Sequence, residues 1–124
     1  MGALAVPERA YDSRPGKAEQ NEVNPVLRTA NASVPKTPFK AGEQRRIVVG
    51  DGCKEVFVRI TSVGSKPGYI AISGKGGERG FPATNTDTDG VDAGGVPIAT
   101  PDSAVYVWSS HGDVNVIVDV WARK

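Results

Sequence analysis

A chain of 124 residues with 39% hydrophobic residues is long enough for one domain with its own core, and no window approaches the ~20 apolar residues of a membrane-spanning helix. The net charge of +1, from 15 basic and 14 acidic residues, gives no global attraction to nucleic acid or to a membrane surface. The single cysteine, Cys53, excludes an internal disulfide and suits synthesis in a reducing cytosol, and the opening Met-Gly-Ala-Leu-Ala-Val-Pro-Glu lacks the basic flank and apolar run of a signal peptide.

In chain order, the first segment is broken by Pro7, Pro15, Pro25, Pro35 and Pro38. Proline fixes φ and removes a donor, so neither a helix nor a central strand runs far here. This predicts an extended Pro-rich N-terminal arm over residues 1–45. Its apolar points Leu4, Val6, Tyr11, Val26, Leu27, Val34 and Phe39 would anchor it to its own domain or to a neighbour. From Arg46 the texture changes to short strands: Arg46–Val49, then Glu55–Val63 after the Asp51-Gly52 turn, then Tyr69–Ser73 after a turn at Ser65-Lys66-Pro67-Gly68. Residues 74–95 read as a long glycine-rich polar loop, and Val96–Ala99 as a short edge strand because of Pro97. Ala104–Trp108 is the next strand, with Tyr106 and Trp108 on one face. A hairpin loop over Ser109–Asp113 leads to the last strand. There Val114, Val116, Val118 and Val120 alternate with Asn115, Ile117, Asp119 and Trp121, the period of a strand with one face in a core. The sum is an all-β fold: an antiparallel, jelly-roll-like β-sandwich over residues 46–124, preceded by the arm.

Charge is unevenly spread. Gly80–Trp121 has no Lys or Arg but carries Asp87, Asp89, Asp92, Asp102, Asp113 and Asp119, so all the basic residues lie elsewhere. Opposite-sign segments suit an oligomer or lattice in which one copy lies on another. Asn85, Asp87 and Asp89, followed by Gly90, match the start of a calcium loop, but Val96 stands where a bidentate Glu is required; they read as an acidic surface loop. Gly74–Gly80 imitates a phosphate cradle without the helix such a cradle needs. His111 lies beside Ser109, Ser110 and Asp113, but proximity along the chain is not a triad. No catalytic residues and no cofactor are assigned. Trp108 and Trp121 read first as core or interface residues and second as a stacking platform for a sugar.

Several segments resemble a β-rich domain recurrent in actinobacterial surface proteins and in the virions of their phages. They are Tyr11-Asp12-Ser13-Arg14-Pro15-Gly16, Val58-Arg59-Ile60-Thr61, Pro67-Gly68-Tyr69, Pro82-Ala83-Thr84-Asn85 and Val116-Ile117-Val118-Asp119-Val120. The chain departs from that pattern at Arg59 and at Ala122-Arg123-Lys124. The resemblance implies a display module rather than an enzyme. On a short chain with an arm it implies a capsid decoration protein of a phage virion, made in the host cytoplasm. The expected partners are the major capsid protein and other copies of the chain, with a trimer suited to three-fold positions on a shell. The contacts would come from Leu4, Val6, Tyr11, Arg14, Val26, Leu27 and Phe39. The alternative function is a carbohydrate-binding module for host surface glycans, using Trp108 or Trp121 with the 74–95 loop. Neither nucleic acid nor membrane is an expected partner.

Overall fold

The computed structural model describes residues 2–17, 23–63, 67–86 and 91–124. Among them are eight strands, β1 (Gly2–Asp12), β2 (Gln44–Val48), β3 (Glu55–Val63), β4 (Tyr69–Ser73), β5 (Phe81–Asn85), β6 (Val91–Ala99), β7 (Ala104–Ser109) and β8 (Asn115–Arg123), and one helix, α1 (Pro25–Ala30). The strands form two antiparallel four-stranded sheets, in the orders β1-β8-β3-β6 and β2-β7-β4-β5. Each strand pairs with the one whose number completes nine, so β1 meets β8, β2 meets β7, β3 meets β6 and β4 meets β5. This is the jelly-roll order, a long hairpin folded over onto itself into two layers.

Alternation in the sequence becomes layering in space. On β3, Val56, Val58, Ile60 and Ser62 are buried while Glu55 and Arg59 are exposed. On β8, Val116, Val118 and Val120 are fully buried, as is Val114 just before it, as their period predicts. Ile72, Val105 and Val107 close the core from the second sheet. Three prolines fall within strands, Pro7 in β1, Pro82 in β5 and Pro97 in β6, and all three strands are sheet edges, where a missing donor breaks no ladder between neighbours.

The structure corrects three sequence expectations. The described residues of this segment, 2–17 and 23–45, do not precede the sandwich as an arm: β1 pairs with β8 along the edge of the first sheet, and Ala10, Tyr11, Leu27 and Phe39 belong to the same core cluster as the later strands. Proline broke the sequence pattern there but an edge strand tolerates it. Helix α1 starts at Asn24, whose Oδ1 accepts from the Val26 and Leu27 N–H groups at 2.9 and 3.3 Å, with Pro25 in the first turn; only Leu27 of this helix is buried. The glycine-rich loop contains β5 and the first half of β6. Finally, Ser109–Asp113 is not a hairpin loop, because β7 and β8 lie in different sheets and the segment crosses between them. The Ser109 hydroxyl fixes that crossing by donating to the His111 carbonyl at 2.7 Å and accepting from its N–H at 3.2 Å. The turn expected at 65–68 falls partly on Ser65 and Lys66, outside the described residues.

Candidate partner-binding surface

The outer face of the first sheet carries an exposed tryptophan, Trp121. The register sets Arg9 of β1, Asp119 of β8 and Arg59 of β3 in one row across the strands. Arg9 donates to Asp119 through Nε at 2.8 Å and Nη2 at 3.3 Å, a part-buried two-point ion pair. Arg59, exposed, holds its guanidinium 5.9 Å from the centre of the Trp121 ring. A register shift between Phe57 and Val58 passes Trp121 out of the ladder, and the indole is 40% exposed. A shallow groove of about 280 Å³ runs between Pro7, Arg9, Asp119 and Trp121. Val6, next to Pro7, is 60% exposed. An exposed Trp flanked by guanidinium groups and short apolar side chains is the composition found at the centre of binding surfaces.

The outer face of the second sheet is aromatic too, but it is already covered. Trp108 is half-buried, with its ring 5.6 Å from that of Tyr69. Arg79 lies 4.3 Å above Trp108 and donates to the Tyr69 hydroxyl at 3.2 Å. The segment carrying Arg79 is tied down by Gln44, whose Nε2 donates to the Glu78 carbonyl at 2.7 Å and whose Oε1 accepts from Gly77 N–H at 2.9 Å. A sugar stacking on Trp108 would first have to displace Arg79, so of the two tryptophans Trp121, with Arg59 farther from its ring, is the more exposed. An apolar slot of about 380 Å³ opens where Ile72 and Phe81 approach Ile98, Ala99 and Pro101.

The residues expected to grip a partner divide sharply. Tyr11, Leu27 and Phe39 are buried in the chain's own core and are unavailable to a neighbour, a correction to their expected role. Leu4 is partly buried against that core. Arg14 is held by Asp12, Nη2 to Oδ2 at 2.7 Å. Val6 and Val26 are exposed, at 60% and 64%. Of the calcium-like residues, Asn85 is exposed at the end of β5, while Asp87 and Asp89 lie outside the described residues. Among the described residues, no three His, Cys, Asp or Glu side chains gather closely enough to hold a metal ion. Strand β5 follows the glycine-rich Gly74–Gly80 segment where a phosphate cradle would have a helix. The His111 ring packs on Gly68, and its Nε2 is buried without a hydrogen-bond partner. Cys53 is buried, its Sγ 3.5 Å from Thr100 Oγ1. No described helix is long and apolar enough to cross a membrane.

The uneven charge of the sequence is partly resolved within one molecule. Arg9 pairs with Asp119, and Arg46 donates to Asp102 at 2.9 Å, so basic and acidic segments meet inside a single copy. Sequence reasoning singled out Trp121 but not its flanking Arg9–Asp119 pair, which joins residues 110 positions apart. The outward direction of Arg59 was readable from the alternation of β3. No known family model, characterised protein or solved structure matches the chain.

Proposed function

We propose that this chain is a non-enzymatic structural protein of a phage virion that decorates or cements the capsid, binding the major capsid protein through the outer face of its first sheet. The carrying observation is the exposed Trp121, with Arg59 over its ring and the Arg9–Asp119 pair beside it. The resemblance to actinobacteriophage display domains and the jelly-roll order, a layout found in capsid and lectin domains, support the reading by analogy. The contact is reassigned from an N-terminal arm to this face because Tyr11, Leu27 and Phe39 are core residues. A protein that binds only the assembled shell stabilises it by mass action and needs no catalytic group.

The test is co-sedimentation of the purified protein with empty capsids, with copy number measured on the particle. Saturable binding at a fixed number of copies per capsid is expected, and Trp121→Ala should weaken it at least about tenfold, the loss of a binding hot spot. Absence of binding to capsids overturns the reading.

A second reading, a module for host surface glycans, is favoured by the groove beside Trp121, where the exposed indole adjoins a guanidinium–carboxylate pair able to bond hydroxyl groups. In a Trp108→Phe variant, Trp121 is the sole tryptophan and its fluorescence reports that groove directly. A glycan array without hits, together with unchanged fluorescence on adding its component sugars, removes this reading.

A further inference from the structure

Two neighbouring rows on the outer face of the first sheet differ in character. The register sets Ala3, Ala122, Phe57 and Pro97, one from each strand, in an apolar row. It sets Arg9, Asp119, Arg59 and Gly95 in a charged one. Trp121 stands between the two rows, beside the register shift. Ala3, Pro97, Arg59 and Trp121 are exposed, and Phe57 and Ala122 are half-buried.

The charged row runs plus, minus, plus and then stops at a glycine. Asp119 has an arginine on each side and is taken by Arg9 at two points. Five arginines lie in the described strands, and four of them hold a carboxylate: Arg9 that of Asp119, Arg45 that of Glu43, Arg46 that of Asp102 and Arg123 that of Glu8. Arg59 is the fifth, and among the described residues it holds none. Strand β6 cannot supply one at the next place in the row. A Cβ on Gly95 would lie 2.8 Å from Phe57 Cζ, so the phenyl ring already fills that place. The Arg59 guanidinium therefore stands in solvent, flanked on one face by Phe57 and Trp121.

We propose that Arg59 receives a carboxylate of the capsid protein, an Asp or Glu side chain at the border of an apolar patch. The inference rests on the capsid reading and names the chemistry that its binding face selects. Guanidinium and carboxylate fit as a two-pronged pair, and the adjoining aromatic rings strengthen such a pair by excluding water once the surfaces meet. The apolar row covers the partner's patch, so arginine and aromatic side chains share the centre of the contact. The face offers a shallow groove rather than an enclosed cavity, which suits a protein surface better than a small free acid.

Binding of the purified protein to empty capsids tests it. Arg59→Gln should bind at least about tenfold more weakly than wild type, and Arg59→Glu more weakly still. Both should keep the wild-type circular dichroism, because Arg59 is exposed and supports no ion pair of its own chain among the described residues. Arg28→Gln removes the same charge from an exposed site on α1 and should bind as wild type does. Amidating the carboxylates on the capsid surface should abolish wild-type binding. Capsid binding equal in wild type and Arg59→Gln overturns this inference and leaves the capsid reading standing, whereas no binding by wild type overturns both. Equal losses in Arg28→Gln and Arg59→Gln also overturn it, since net charge is then responsible, as does binding that survives amidation. If Arg59→Gln instead loses acidic sugars on a glycan array and keeps capsid binding, the guanidinium serves a glycan carboxylate and the proposal fails.

Discussion

Arg45 is a charged side chain 5% exposed, and its surroundings explain how the sandwich accommodates it. Its guanidinium donates to both Glu43 carboxylate oxygens at 2.8 and 3.0 Å, to the Tyr11 hydroxyl at 2.7 Å, and to the carbonyls of Thr37 and Pro38 at 2.6 and 3.1 Å, while lying 4.1 Å over the Phe39 ring. Tyr11 in turn donates to the Pro35 carbonyl. One cation thus ties β1, β2 and the irregular segment before β2 together. Arg45→Met should cost about 3 kcal/mol or more in urea unfolding, because it leaves Glu43 without its cation and the Thr37 and Pro38 carbonyls without their donor. Burial would push the Glu43 carboxyl up, but Arg45 and the Lys40 N–H outweigh it and hold it below its usual value near 4.5. Glu8 is also held below 4.5, chiefly by its bond to Arg123, against burial and with help from Asn24. A carboxyl whose folded pKa is depressed contributes stability above its unfolded pKa and loses it as pH falls through the folded value. Stability measured from pH 7 downward should therefore begin to fall near pH 4.5, and Glu8→Gln with Glu43→Gln should be less stable at pH 7 and show a shallower fall. None of this was legible in the sequence. Arg45 looks like any basic strand residue, and its main acceptors are backbone carbonyls that no residue type announces.

At the scale of elements, strands whose two faces differ were readable and strands at the margins were not. Strands β3, β4, β7 and β8 came within a residue or two of their observed limits because each alternates or runs apolar into the core. Strand β1 was read as an arm because prolines interrupt it and β5 as loop because it lies in a glycine-rich polar stretch, and the order of strands within the sheets has no local signature. Asn31 is the element-level device that sequence could not show, since its amide bonds two strands at once. Asn31→Ala should cost about 2–3 kcal/mol by freeing the Ala10 carbonyl and both Val48 groups, and should speed hydrogen exchange at the Val48 amide. The loop before β5 offers a paired comparison. Gly77 and Gly80 both have φ of +81°, but a Cβ on Gly77 meets nothing within 4 Å, whereas one on Gly80 would sit 1.8 Å from the Ile72 carbonyl oxygen. Gly77→Ala should cost about 1 kcal/mol, the backbone term alone, and Gly80→Ala at least about 2 kcal/mol more. Equal costs would mean that β4 can move away from the loop.

Across the whole molecule, one core joins residues from Ala10 to Val120. Unfolding followed by tryptophan fluorescence and by far-ultraviolet circular dichroism should give a single coincident transition. Deleting residues 2–12 should unfold the entire sandwich rather than release an intact 46–124 unit, because it removes Tyr11 from the core and strips the edge from β8. A deletion variant that keeps a cooperative transition would restore the boundary at residue 45.

The pairing of β1 with β8 also has a consequence in time. Strand β1 has no other partner strand among the described residues, and β8 leaves the ribosome about a hundred residues later. At roughly 5–20 residues per second, the first strand waits about 5–20 s for the last. Throughout that interval the nascent sandwich lacks one edge, and a strand whose first half carries no charged side chain stays available to anything else that offers it a ladder.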